Sequence, residues 1–129
     1  MNAIPENALN DFSNAIGTEN VIIDGKTRSE YQTATFATQQ TIPAVIRPGN
    51  RNEVQECLRI ANRYKTPVYP ISTGKNIGYG TRVPTADGSI VMELNRLDKI
   101  VEYNDKLGYV TTQLMDSLLN ERVIFHKLR

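Results

Sequence analysis

Apolar residues recur along this chain at two spacings, and each spacing predicts a different kind of element. Ala8, Leu9, Phe12, Ala15 and Ile16 fall at i, i+1, i+4, i+7 and i+8 after Pro5. That is one face of a short helix, with Gly17 placed to cap its end. Val54, Cys57, Leu58 and Ala61 repeat the helical spacing and predict an amphipathic helix running to Tyr64 or Lys65. Asn52 is placed to cap its start, and Glu53 lies in the first turn, where the helix dipole favours an acid. Arg59, Asn62, Arg63 and Lys65 lie off the stripe, and Thr66 with Pro67 closes the helix.

Short apolar runs predict strands. Val21, Ile22 and Ile23 form one, halted by the turn pair Asp24 and Gly25. Residues 43–48 form a second, bracketed by Pro43 and Pro48, and Val68 to Ile71 a third. Residues 89–94 are mostly apolar, as an internal strand requires. After a kink at Asn95 and Arg96, residues 101–103 and 108–111 alternate about a polar turn, the pattern of a hairpin. Residues 26–41 are rich in Thr, Gln and Ser, with Tyr31 and Phe36 as their only large apolar anchors, and read as an irregular surface arm holding one helical turn at most. Leu114, Met115, Leu118 and Leu119 return to helical spacing within residues 113–121.

The order strand, helix, strand, glycine loop across residues 43–80 matches a parallel βαβ crossover. It places the loop outside the carboxyl end of the second strand, where open α/β sheets bind ligands. The loop runs Ser72, Thr73, Gly74, Lys75, Asn76, Ile77, Gly78, Tyr79, Gly80. Its glycines allow positive φ and close backbone approach, and successive amides in such a turn can converge on an anion. Ser72 and Thr73 add hydroxyls and Lys75 a cation. A plain glycine-rich surface turn has the same composition, and from the residues alone the two readings stand level. A Walker loop is excluded, because Asn76 follows Gly74 and Lys75, and Tyr69 stands where the first glycine belongs. The dinucleotide fingerprint is excluded by Val83 at its third glycine.

Composition narrows the function classes. The chain has 129 residues, enough for one small domain, and its 40% hydrophobic and 22% charged content is ordinary globular usage. A formal net charge of +1 gives no electrostatic case for nucleic acid or an anionic membrane. Cys57 is the single cysteine, which excludes an intrachain disulfide and fits a reducing compartment. Lying on the apolar stripe without a basic partner, it reads as a packing residue rather than a nucleophile. One cysteine and one histidine argue against a zinc site. No apolar run reaches the ~20 residues that cross a bilayer, and the first residues lack the features of a signal peptide. The cytoplasm is the expected compartment.

Residues 43–48, the helix after them, residues 70–80, 89–94 and 97–100 together carry more than a pattern. They resemble the vanillyl-alcohol oxidase and p-cresol methylhydroxylase (PCMH) family, most closely its branch acting on para-substituted phenols, over residues 1 to 113. The resemblance implies an α+β fold: a partial PCMH-type FAD-binding domain with a small parallel βαβ sheet followed by antiparallel strands. It implies FAD as cofactor, its diphosphate wrapped by the loop through amides and hydroxyls. The expected cofactor-binding set is Ser72, Thr73, Gly74, Lys75, Asn76, Gly78, Tyr79 and Gly80. Lys75 either touches the phosphates or is a solvated charge beside them. Tyr79 matches a residue that, in the phenol branch, binds and helps ionise the substrate phenol. It is the one catalytic candidate, with an aromatic plug as the alternative.

The chain also departs from the family pattern. The loop has no histidine, so covalent attachment of FAD there is excluded, and His126 lies in an unmatched tail. In relatives the strand at 108–112 leads into a second Pro-Gly loop. Here Thr111, Thr112 and Gln113 run directly into Leu114, Met115 and Asp116. The flavin-N5 acid and the substrate domain have no counterpart. The expected organisation is an N-terminal helix and arm over 1–42, an incomplete FAD-binding subdomain over 43–113, and an unmatched helix and tail over 114–129. The expected function is that of a truncated flavoprotein oxidoreductase passing a hydride from the benzylic carbon of a para-substituted phenol to FAD, without turnover on its own. The other reading is a non-catalytic FAD- or nucleotide-binding module, or a structural remnant, needing a partner chain or oligomer.

Overall fold

The computed structural model describes residues 4–74 and 81–113. Helix α1 (Glu6–Ile16) buries Ala8, Phe12 and Ile16 along its expected face and ends at Gly17, whose N–H donates to the Ser13 carbonyl. A single 3-10 turn, Thr18–Asn20, leads into strand β1 (Val21–Ile22).

The polar stretch that follows departs from expectation. Asp24 does not turn the chain but caps helix α2 (Gly25–Gln32), its side chain accepting from the Thr27 N–H at 2.8 Å. Tyr31 is the one residue α2 buries, whereas Phe36, read as an anchor, is 61% exposed. A helix held by one cap and one aromatic has no apolar stripe, which is why periodicity missed it.

Strand β2 (Val45–Ile46) lies between the two prolines as expected, and α3 (Arg51–Arg63) follows. Asn50, rather than Asn52, caps α3. Its side chain accepts from the Glu53 N–H at 3.0 Å while Glu53 Oε2 accepts from the Gly49 N–H at 2.6 Å, a reciprocal pair. The buried face is Cys57, Ile60 and Ala61, one step round from the predicted stripe, and Leu58 is 49% exposed. Asp11 fastens α1 to the end of α3, accepting from Arg63 Nη1 at 3.1 Å and from the Tyr64 hydroxyl at 3.0 Å.

Strands β3 (Val68–Ile71) and β4 (Ile90–Glu93) complete a four-stranded sheet in the order β1-β2-β4-β3. Both β2 and β3 run parallel to β4, with Val45 opposite Val91 on one side and Tyr69 opposite Val91 on the other. The parallel crossover is therefore present, but β4 is inserted between its two strands. All four residues of β4 are buried. Ile90 and Met92 face α1 and α3, packing with Phe12, Ile16, Ile46, Cys57 and Ile60. Val91 faces the other way, with Tyr31, Ile42 and Val45. Each fully buried side chain of this size contributes roughly 1.5–3 kcal/mol.

Beyond a turn in which the Leu97 N–H donates to the Leu94 carbonyl, β5 (Ile100–Asn104) and β6 (Tyr109–Thr112) form the expected antiparallel hairpin. It is a separate two-stranded sheet whose apolar side chains face water, Val101 at 65% and Leu107 at 76% exposure. The architecture is mixed α+β. The helix predicted within 113–121 lies outside the described residues. No helix among the described residues is long and apolar enough to cross a membrane.

Candidate cofactor site at the carboxyl edge of the sheet

The three parallel strands end along one edge, at Ile46, Ile71 and Glu93. Beyond β3 come Ser72, Thr73 and Gly74, all half-buried. Gly74 has φ +71°, the left-handed region that side chains with a Cβ avoid. A Cβ there would stand 3.5 Å from Arg82 Cδ and from Ile71 Cδ1, an ordinary contact, so conformation rather than room demands the glycine. These three predicted residues come together where the reading expected them. Lys75, Asn76, Gly78, Tyr79 and Gly80 lie outside the described residues.

Sequence reasoning missed the cluster beside this turn. Glu93, at the end of β4, is buried, and its Oε2 accepts from Arg47 Nε at 2.5 Å and from the Tyr31 hydroxyl at 2.8 Å. Arg47 Nη2 in turn donates to the Tyr31 oxygen at 3.1 Å. Arg47 follows β2 directly, so three elements meet at one carboxylate. Burial pushes the Tyr31 phenol above its ordinary value, against the opposing pull of the Arg47 hydrogen bond. The Arg82 guanidinium stands 5.7 Å from the centroid of the Tyr31 ring. The one sequence signal was Tyr31 itself, an aromatic residue isolated in a polar stretch.

Two further features mark the edge. Arg96 Nη1 donates to the Arg47 carbonyl at 2.7 Å and lies 3.5 Å from Glu53 Oε2. It crosses Gly49 so closely that a Cβ there would stand 2.7 Å from its guanidinium carbon. Asn95, just past β4, has a buried Oδ1 without a hydrogen-bond partner among the described residues. Buried acceptors left unmet are uncommon and mark places where something else can bond.

The edge therefore offers hydroxyls, a left-handed turn, guanidinium groups and an unmet acceptor, and its one buried carboxylate is already neutralised. Hydroxyl and amide donors of this kind can pair with a polar anion. Among the described residues, its titratable side chains are engaged in ion pairs and hydrogen bonds. Cys57 lies in the core, its thiol pushed up to about 12 by burial first and by Glu53 and Glu56 second, which suits packing rather than attack. No group of His, Cys, Asp or Glu among the described residues could hold a metal ion.

A model of the FAD-binding domain family matches residues 42–114. The chain is 46% identical to 1'-carboxy-chondrochloren decarboxylase from Chondromyces crocatus, across 95% of this chain and 24% of that protein. It is 25% identical to the 4-cresol dehydrogenase [hydroxylating] flavoprotein subunit of Pseudomonas putida, across 82% of this chain and 21% of the relative. Among solved structures, 4-ethylphenol oxidase from Gulosibacter chungangensis in complex with isoeugenol superposes with a TM-score of 0.80 at 35% identity, across 94% of this chain and 24% of that one. The chain spans about a quarter of the length of each.

Proposed function

The chain belongs to the FAD-binding domain family, of p-cresol methylhydroxylase type, and on that premise we propose that it is the FAD-cradling part of an oxidoreductase acting on para-substituted phenols. The observation that carries the reading is the 72–74 turn: two hydroxyl residues and a glycine at φ +71°, outside the carboxyl end of a parallel strand.

FAD fits the residues at this edge. Its diphosphate needs N–H and O–H donors, which Ser72, Thr73 and the turn amides supply. When bound, FAD supplies the redox chemistry, accepting a hydride from the benzylic carbon of the substrate. This chain's residues bind and orient. By its place in the family pattern, Tyr79 holds the phenol oxygen, Lys75 lies near the phosphates, and Asn76, Gly78 and Gly80 let the backbone approach. Support for a para-substituted phenol comes from the names of two relatives, a 4-cresol dehydrogenase and a 4-ethylphenol oxidase. A second reading, removal of a carboxyl group from the substrate, draws on the 46% identity to a protein named as a decarboxylase.

Titration of the purified chain with FAD tests the first step, by quenching of flavin fluorescence. Binding is expected, and a folded chain that leaves FAD free overturns the reading. Anaerobic addition of 4-ethylphenol, or of its carboxylated analogue, then separates the chemistries. Substrate-dependent bleaching marks an enzyme, released CO2 marks the decarboxylase reading, and bound flavin without bleaching marks a binding module that acts with further polypeptide.

A further inference from the structure

Two side chains tie the far side of the glycine-rich segment to the strand and turn on its near side. Tyr69, in β3, donates its hydroxyl to the Thr81 carbonyl at 2.8 Å, linking the strand before the segment to the first described residue after it. Thr81 Oγ1 in turn accepts from the Val83 N–H at 3.1 Å. Arg82 lies along the turn itself. Its Cδ and Cβ stand 3.5 and 3.6 Å from the position a Gly74 Cβ would take, so the aliphatic stem covers the flank that the glycine leaves bare. Its guanidinium then rests over the Tyr31 ring. That ring is not free to swing, because its hydroxyl is bonded to both members of the Arg47–Glu93 ion pair.

We propose that Arg82 and Tyr69 are positioning residues for the cofactor. They hold the 72–74 turn in its FAD-binding shape, with Tyr31 as the fixed platform on which Arg82 rests. The inference depends on the reading that the FAD diphosphate sits on that turn. The physical reason is conformational entropy. A glycine turn with nothing against its flank samples many backbone states, and a ligand that needs one of them binds more weakly by the cost of selecting it. Fixing the turn before the ligand arrives removes that cost from the binding step. The geometry also decides between two roles for Arg82. Its contact with the turn is made by the stem and its charge is directed at an aromatic face, which is the arrangement of a brace rather than of a phosphate ligand. Helix α2 gains a purpose from this, since it is the element that delivers Tyr31.

The test compares Arg82→Ala, Arg82→Lys and Tyr69→Phe in the full chain. FAD affinity is measured at low and high salt, and amide hydrogen exchange is followed without FAD. Arg82→Ala is expected to weaken FAD about tenfold at both salt concentrations. Exchange at residues 72–74 and 81–83 should quicken, while the amides of β4 keep their protection. Arg82→Lys, which retains a stem and a cation for the ring, should recover most of the affinity, and Tyr69→Phe should reproduce a smaller part of both effects. A loss that vanishes at high salt with exchange unchanged makes Arg82 a phosphate contact and overturns the brace. Wild-type affinity in Arg82→Ala overturns it too. If the parent chain leaves FAD unbound, the site reading has failed, and the exchange data still decide: unchanged exchange at 72–74 in both Arg82→Ala and Tyr69→Phe rejects the brace. If Arg82→Ala costs β4 its protection, Tyr69→Phe carries the test.

Discussion

The two ends of the parallel sheet are built on opposite plans. At the amino end the chain meets most of its own groups, although Arg28, whose Nη1 donates to the Ile42 carbonyl, leaves its Nε buried without a partner among the described residues. Asp87 Oδ1 accepts from both the N–H and the hydroxyl of Thr41, each at 2.6 Å, and the Gly88 N–H donates to the Thr41 carbonyl at 3.0 Å. The Ile90 N–H reaches the Pro67 carbonyl and the Ser89 hydroxyl the Ala86 carbonyl. A cavity of about 170 Å³ lies there, lined by Ile4, Pro5, Lys65, Thr66, Pro67, Asp87 and Gly88. At the carboxyl end, among the described residues, the ion pairs Arg47–Glu93 and Arg96–Glu53 stand close together and the Asn95 Oδ1 is buried without a partner. One edge is crossed by hydrogen bonds between its own loops, and the other carries the turn proposed above for the cofactor. Turns of similar conformation serve both: Gly74 and Gly88 have φ of +71° and +74°.

Three perturbations press on that contrast. The largest effect is expected at the carboxyl edge from Glu93→Ala, which strands Arg47 and removes the partner of Tyr31. Breaking a buried pair costs about 3–5 kcal/mol, and because Arg47 is 31% exposed we expect roughly 2–3 kcal/mol in urea denaturation. Less is expected from alanine at the two left-handed glycines. Gly74→Ala and Gly88→Ala should each destabilise by about 1 kcal/mol or more, the positive φ being common to both. Only Gly74→Ala should also weaken FAD, by about tenfold or more, and equal loss of affinity in both would dissolve the distinction between the ends.

The smallest effect belongs to pH. The Thr41 hydroxyl first, and its N–H second, hold the Asp87 carboxyl below the ordinary 3.8. A carboxyl whose folded value is depressed adds stability above its unfolded value and loses it as pH falls through the folded one. The denaturation midpoints of wild type and Asp87→Asn should therefore differ at neutral pH and converge below about pH 3.8. A gap that persists in acid would mean that Asp87 acts through shape rather than charge. Asp87 is fully exposed, so the gap itself should be small.

What could be read from the chain beforehand divides along physical lines. Strand β4 was legible because its near-continuous apolar run has only one plausible environment, the middle of a sheet. Helix α3 was legible as a helix, but its face was not. Leu58 and Ile60 are equally apolar, and only Phe12 and Ile90 across the core decide which of them turns inward. The cap at Asn50 had a signal, the spacing to Glu53, but Asn52 competed for the same role. The place of β4 between β2 and β3 was illegible, since pattern gives a strand's direction of burial and not its neighbours. In the site, the 72–74 turn was readable because local backbone demands are written in local residues. Tyr31, Arg47, Glu93 and Arg82 were not, because their meeting depends on elements up to 62 positions apart.

The insertion of β4 has a consequence for synthesis. As the chain leaves the ribosome, β2 emerges with β1 already made beside it, but β3 follows with no ladder partner, because β4, which joins the two, is not yet made. The strand that joins them is made only after the whole glycine-rich segment has passed. A nascent chain halted at Gly80 therefore carries the whole glycine-rich segment but lacks the central strand of the sheet. The sheet that carries the proposed cofactor edge is therefore complete only once translation has moved beyond Glu93.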